Sequence, residues 1–165
     1  MLFFKGEHFH SIDAKSRLTI PAKLREVINV AEQGRGFVAY PGLDRVLHLY
    51  TPARFKQVAP DFEERHQVEQ VVRDTERLTY GLAEELELDA LSRVLIPESM
   101  KQRCGLAREV AIVGVRDHIE VWDREAWNKF VDTRLPQLNE LKKQAVALSA
   151  PAAAPAATPP AVEPK

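Results

Sequence analysis

The residues best suited to chemistry in this chain belong to a nine-residue phrase that occurs twice. Asp13-Ala14-Lys15-Ser16-Arg17-Leu18-Thr19-Ile20-Pro21 recurs as Asp89-Ala90-Leu91-Ser92-Arg93-Val94-Leu95-Ile96-Pro97, with six of nine positions identical. Asp-x-x-x-Arg across a tight turn brings a carboxylate within reach of a guanidinium. Such a pair can simply close the turn. It can also hold the guanidinium ready for a phosphate or a guanine edge, because a braced arginine presents a planar fork of donors. Loop closure alone would account for one copy; two copies that keep both charges shift the balance towards recognition. Lys5, Lys15, Lys23 and Arg25 surround the first Arg17, whereas Leu91, Ser99 and Lys101 stand where Lys15, Lys23 and Arg25 would repeat.

The remaining reactive side chains form no second motif. His8 and His10 share one face of a strand, and two imidazoles without a third ligand read as ordinary strand residues. His48, His66 and His118 read as scattered, so neither a metal nor another cofactor is expected. Trp122 and Trp127, with Phe130, read as core or interface aromatics rather than base-stacking platforms. There is no phosphate-binding glycine loop, nucleophile elbow or metal-spaced carboxylate cluster, so no enzyme is expected. Cys104 is the only cysteine, which excludes an internal disulfide and a thiolate zinc cluster.

The repeat dictates how these residues are positioned. Each unit is too short to bury a large core alone, so the two copies of a 165-residue chain are expected to share one. In the first copy, Glu7–Ile12 reads as a strand and Asp13–Ser16 as a turn. Arg17–Ile20 alternates polar and apolar like a half-buried strand. Pro21 suits the first turn of a short helix reaching about Val27. Gln33–Gly36 reads as a flexible connection, followed by a hairpin of Phe37–Tyr40 and Val46–Tyr50. The second copy repeats this with a turn at Asp89–Ser92, strand Arg93–Ile96, helix Pro97–Cys104 ended by Gly105, and strands Val110–Val113 and His118–Trp122. Thr51 and Asp123 each stand before a helix. A helix over Asp61 to about Leu82 links the copies, with Phe62, Val68, Val71, Val72, Thr75 and Leu78 on one side. Another runs from Asp123 to about Ala147, kinked near Pro136. Ser149–Lys165 holds five Pro and seven Ala and is expected to be disordered.

Charge is unevenly placed although the net is −1. Five Lys and Arg face two Asp and Glu in residues 1–25, whereas residues 60–90 hold ten acids and three cations. A cationic edge near the N-terminus and an acidic surface elsewhere follow. The opening Met1–Gly6 lacks the basic start of a signal peptide, and no apolar run approaches a membrane span. A cytoplasmic protein with no membrane partner and no small-molecule substrate is therefore expected.

Gly6-Glu7-His8, Asp13 through Arg25, Gly42-Leu43-Asp44, Leu49-Tyr50, Glu87-Leu88-Asp89, Val113-Gly114, and Trp122 with Trp127 together resemble the MraZ family of bacterial transcriptional regulators. The resemblance covers about residues 3–135 in order and spacing. It implies an α+β, mainly β fold built from tandem, pseudo-twofold swapped-hairpin units of the SpoVT-AbrB, double-psi-barrel type. Those units would span 7–54 and 83–126, followed by a C-terminal helix at 127–148 and the tail at 149–165. It also implies a ring-like homo-oligomer, associated with the nucleoid. This would bind double-stranded DNA at short direct repeats upstream of the cell-division and cell-wall gene cluster, its own promoter included. On this reading Lys5, Asp13, Lys15, Ser16, Arg17, Lys23 and Arg25 contact DNA. Asp89, Arg93 and Lys101 keep a structural or auxiliary role. The alternative is a ring-forming structural or protein-interaction module. The family usually has Gly where this chain has Ser16 and Ser92. Either the two turns are right-handed throughout, or each accepts the strain of a non-glycine residue at positive φ.

Overall fold

The computed structural model describes residues 2–58 and 70–149. In the first copy, strand β1 (Phe4–Ser11) leads through the Asp13 turn to β2 (Arg17–Thr19) and helix α1 (Ala22–Arg25). Then come α2 (Val30–Gln33), the hairpin of β3 (Phe37–Pro41) and β4 (Leu47–Tyr50), and α3 (Pro52–Val58). Helix α4 (Gln70–Gly81) opens the second half, which continues with β5 (Glu84–Leu86), β6 (Arg93–Leu95) and α5 (Glu98–Cys104). Strands β7 (Glu109–Arg116) and β8 (His118–Asp123) follow, then α6 (Arg124–Arg134), a short 3-10 turn at Leu135–Gln137, and α7 (Leu138–Ser149). The chain forms one compact unit ending at Asn128 and a second beginning at Lys129.

Local signals explain most boundaries. Pro21 and Pro97 precede α1 and α5, where a missing amide proton is tolerated. Gly105 ends α5 in the left-handed region at φ 62. The Thr51 hydroxyl accepts from the Arg54 N–H, and Asp123 Oδ1 accepts from the N–H groups of Glu125 and Ala126. Both are side-chain caps. The helix expected from Asp123 onward is interrupted at Pro136 by the 3-10 turn. Two elements are additional to the sequence reading. α2 occupies the stretch left unassigned between about Val27 and the connection at Gln33–Gly36, capped by the Asn29 side chain on the Ala31 N–H. β5 occupies part of an acidic run whose pattern gave no strand signal. Of the linking helix, residues 61–69 lie outside the described residues; the described part leaves Val71 and Leu78 exposed. The expected disordered tail also lies outside them from residue 150 onward.

Six strands form one antiparallel sheet in the order β1-β7-β8-β4-β3-β5, and β2 pairs antiparallel with β6 in a second, two-stranded ribbon. The fold is thus α+β and mainly β. The order reads the same when each strand is exchanged for its counterpart in the other copy. β1 of the first half pairs with β7 of the second, β5 of the second with β3 of the first, and β4 with β8. Accordingly the strands on either side of the Asp13 turn do not pair with each other. The turn carries the chain from the large sheet into the ribbon. Leu18, Ile20, Val94, Ile96, Leu24 and Met100 are fully buried together with Phe4, Phe37, Leu47, Leu49, Ile112 and Ile119. One shared core results, as the shortness of each unit requires.

Candidate nucleic-acid interface

Each Asp-x-x-x-Arg turn is a closed hydrogen-bonded unit. Asp13 Oδ1 accepts from the backbone N–H of Lys15 and of Arg17, both at 2.9 Å. Its Oδ2 accepts from Arg17 Nε and from the terminal Nη2, each at 2.7 Å. Asp89 repeats the pattern with the N–H groups of Leu91 and Arg93, and its Oδ2 accepts from Arg93 Nε at 2.8 Å and Nη2 at 2.7 Å. The Arg17 backbone N–H holds the Asp13 carboxyl below its ordinary range; burial opposes this, and the Arg17 side chain and the Lys15 N–H add to the lowering. For Asp89 the Arg93 guanidinium comes first and its N–H second. Each arginine thereby spends two N–H donors on its own aspartate. Three of five remain, enough for a two-pronged contact to phosphate or guanine.

Ser16 and Ser92 settle the alternatives left by the sequence. Both stand at positive φ, 60 and 61, so both turns are left-handed at this position and each serine accepts the strain. The turns also hold the two copies together. The Ile20 N–H donates to Ser92 O at 3.0 Å and the Ile96 N–H to Ser16 O at 2.8 Å. The Ser16 hydroxyl accepts from Lys101 Nζ at 2.8 Å, and Lys101 also pairs with Glu98 at 2.7 Å.

The ribbon register decides which cations share a surface. Arg17 lies opposite Leu95, Leu18 opposite Val94, and Thr19 opposite Arg93. Side chains alternate along a strand, and Leu18 and Val94 are fully buried. Arg17, Thr19, Arg93 and Leu95 therefore occupy the other, outward face. The two arginines stand diagonally on one ribbon, each partly exposed. Lys15 is exposed beside the first turn, while Leu91 is 67% exposed beside the second and Leu95 60% exposed within the ribbon. Thr19 and Leu95 are the face residues that the sequence reading passed over, since only the pairing of the two copies brings them alongside the arginines.

The other expected cations are placed unequally. Lys23 is exposed on α1. Arg25 is half-buried and donates from Nε to Ile20 O at 3.0 Å, so part of its guanidinium is engaged in the fold. Lys5 is in β1 opposite Val115, about 20 Å along the strand from Ser11 at ~3.3 Å per residue. It does not join the group around Arg17. Lys101 faces the first turn rather than its own.

One expectation requires correction. His48 and His118 are not scattered. β4 pairs with β8 so that His48 lies directly opposite Glu120, and the two imidazole rings are 4.7 Å apart. His66 lies outside the described residues. Burial, then the neighbouring His118, pushes His48 down to about 4. Burial opposes charge on His118 as well, but its contacts to Glu120 and Asp117 outweigh that and raise it. Trp122 and Trp127 meet edge to face at 5.4 Å, and their indole N–H groups donate to Glu120 and Glu7. Both indoles are engaged within the fold.

No helix among the described residues is long and apolar enough to cross a membrane. A family model described as "MraZ protein, putative antitoxin-like" matches residues 3–78 and 80–148. A protein of Mycoplasmoides gallisepticum named Transcriptional regulator MraZ is 37% identical over 138 residues, 84% of this chain and 94% of its own length. A protein of the same name from Symbiobacterium thermophilum is 38% identical over 125 residues, covering 76% and 87% respectively. Another, from Heliobacterium modesticaldum, is 32% identical over 143 residues, covering 87% and 96%. With the doubled, cross-paired architecture and nearly the full length of these relatives accounted for, this chain belongs to the MraZ family.

Proposed function

We propose that this protein is a DNA-binding transcriptional regulator and not an enzyme, with the outward face of the β2–β6 ribbon as its contact surface. One observation carries the reading: Arg17 and Arg93 emerge on the same exposed face, each braced by its own aspartate with donors to spare. The first turn is the principal contact, through Arg17, Lys15 and the nearby Lys23, with Asp13 and Ser16 shaping the turn. Arg25 adds a phosphate contact at its margin, while Lys5, at the far end of β1, lies apart from this group. Asp89, Arg93 and Lys101 support the geometry, because the second turn exposes Leu91 where the first exposes Lys15.

A chain of net charge −1 with so few cations on one face binds DNA weakly alone, since each phosphate contact adds only a salt-sensitive increment. A ring of identical subunits repeats the face, and linked weak contacts gain by effective concentration. Head-to-tail subunits present it in one orientation, so direct repeats are the fitting target. Within the family reading, these lie upstream of the cell-division and cell-wall genes and of the protein's own gene. The regulator would work in the cytoplasm, at the nucleoid. Units at 7–54 and 83–126 are the duplicated building blocks of this surface.

Anisotropy titrations on duplex DNA from upstream of its own gene test this, with native mass confirming equal assembly of each variant. Wild type should bind tightly with a steep salt dependence. Arg17→Ala should weaken binding and flatten the log–log salt slope by about 0.9 per lost phosphate contact. Arg93→Ala should lose less. A larger loss in Arg93→Ala would reverse the assignment of the two turns. Equal, weak, sequence-indifferent binding by wild type and Arg17→Ala would sink the DNA reading. It would favour a protein-interaction module, for which the exposed Leu91 and Leu95 are the supporting observation.

A further inference from the structure

His48 belongs to a second site, unlike the cationic ribbon in its chemistry. His48 on β4 faces Glu120 on β8, and His118, two residues before Glu120, shares its face of the strand. His118 Nε2 is 3.3 Å from Glu120 Oε1, and His48 Nε2 is 3.5 Å from the same oxygen. One donor atom from each of the three residues lies within 4.8 Å of the other two. His48 is only 8% exposed, yet neither of its ring nitrogens has a hydrogen-bond partner. A buried imidazole with both nitrogens unmatched is costly and calls for a ligand.

The surroundings hold all three groups in place. Asp117 Oδ1 lies 2.9 Å from His118 Nδ1; the carboxylate accepts from Nδ1–H, which fixes the ring with Nε2 turned towards Glu120. Asp117 is itself fixed by Arg54, whose Nε and Nη2 donate to Oδ2 at 3.0 and 2.8 Å. The second oxygen of Glu120 accepts from Trp122 Nε1 at 2.7 Å. Gly42 lets the His48 ring stand where it does, because a Cβ there would come within 2.4 Å of ring atoms. The 3.3 Å gap between His118 Nε2 and Glu120 Oε1 can hold a proton or, in its place, a metal cation.

We propose that His48, His118 and Glu120 bind a divalent transition-metal ion of the zinc type. Ligand bonds of about 2.0–2.2 Å in tetrahedral geometry place neighbouring ligand atoms about 3.4 Å apart, and the two separations involving Glu120 bracket that value. Two imidazoles and one carboxylate suit zinc-like ions rather than magnesium or calcium, which prefer all-oxygen sites. The Asp117–His118 contact is the outer carboxylate that characteristically orients a metal-binding histidine. A fourth position is left for water. Because β4 comes from the first copy and β8 from the second, the ion would tie the two halves together at the centre of the large sheet. This role is independent of DNA binding.

Calorimetric titration of the full, chelator-treated chain with zinc chloride near neutral pH tests the site, together with anomalous scattering at the zinc edge from crystals grown with the salt. One ion per chain is expected, with the anomalous peak between His48, His118 and Glu120. A rise of several degrees in melting temperature is expected at about a hundredfold excess over the dissociation constant. His118→Gln should abolish the binding, Asp117→Asn should weaken it about 10–100-fold, and the double replacement of His8 and His10 by Gln should leave it unchanged. No saturable binding, a peak only elsewhere, or wild-type affinity in His118→Gln would overturn the proposal. Should His118→Gln fail to fold, the anomalous map of the unaltered protein decides the matter without a mutation.

Discussion

Replacing Ser92 and Ser16 by glycine separates backbone strain from a side-chain contact, because the two turns differ in only one relevant interaction. Both serines stand near φ +60. A left-handed conformation costs an L-residue about 1–2 kcal/mol, which glycine avoids. Glycine in turn loses more freedom on folding, offsetting about 0.4–1 kcal/mol. Ser92→Gly should therefore stabilise the protein by roughly 0.5–1 kcal/mol, a rise of about 1–4 °C in melting temperature for a chain of this size. Ser16→Gly gains the same backbone relief but removes the hydroxyl that accepts from Lys101 Nζ at 2.8 Å. Losing a hydrogen bond to a charged group costs about 1.5–3 kcal/mol when buried. Lys101 also retains Glu98, and the site is partly open, so about 0.5–1.5 kcal/mol is the fitting allowance. Ser16→Gly should thus be neutral or mildly destabilising. Urea melts of both variants at one fixed protein concentration decide the matter, and Lys101→Met in each background isolates the contact. Equal stabilisation by both glycines would show that the Lys101 contact contributes nothing. A destabilising Ser92→Gly would refute the strain argument itself.

Three further outcomes follow from single side chains. Cys104 is buried, and burial, only partly countered by Arg45 and Arg103, pushes its thiol up to about 11. Iodoacetamide should therefore alkylate the native protein at mildly alkaline pH on the order of a hundred times more slowly than the urea-unfolded chain, since the thiolate is the nucleophile; equal rates would contradict the burial. Gly114→Ala should destabilise by about 1–3 kcal/mol, because the new Cβ would come within 2.4 Å of the Lys5 backbone nitrogen, and an unchanged urea midpoint would show that β1 yields freely. The carboxyl resonances of Asp13 and Asp89 should titrate below 3.8. Their lowered folded-state pKa means that the stabilisation is present above the unfolded value and is lost as pH falls through the folded one; midpoints at or above 3.8 would remove the brace from the argument.

Much of this architecture can be read from the residues because duplication writes the same instruction twice. The Asp13 and Asp89 turns, the prolines before α1 and α5, Gly105 and the caps at Thr51 and Asp123 are all local signals, and each acts where its residue stands. The misses share another cause. β5 is Glu84-Glu85-Leu86, with no period-two pattern, and becomes a strand because β3 offers it a partner at the sheet edge. α2 is a single turn, too short for a periodic signal, sustained by the Asn29 cap and ended by Gly34. The meeting of His48 with Glu120 and of Arg17 with Leu95 depends on which strand pairs with which, and that depends on the other copy. Local chemistry therefore identified the motif, and long-range pairing decided what stood beside it. The arginines read as two separate turns become one ribbon face for that reason.

Interlocking has a consequence for each half on its own. A chain ending at Gly81 would keep β1, β2, β3 and β4 but lose β7, β6, β5 and β8, the partners of each. Only the β3–β4 hairpin would remain paired, and Leu18, Ile20, Phe4 and Leu47 would lose the residues that bury them. An isolated hairpin is marginal in water, so a folded monomer of this half is not expected. The exchange symmetry supplies an escape, however. β1 of one copy could occupy the place of β5 in a second copy, and the two β2 strands could pair with each other. Arg17 would then lie opposite the Thr19 of the other molecule, as Arg93 does in the whole chain. The half-chain should therefore be unfolded at low concentration and gain strand circular dichroism only as it dimerises, with a concentration-dependent melting temperature. Sedimentation and circular dichroism over a dilution series test this. A half-chain that stays folded and monomeric on dilution would mean that the shared core is not what holds each unit together.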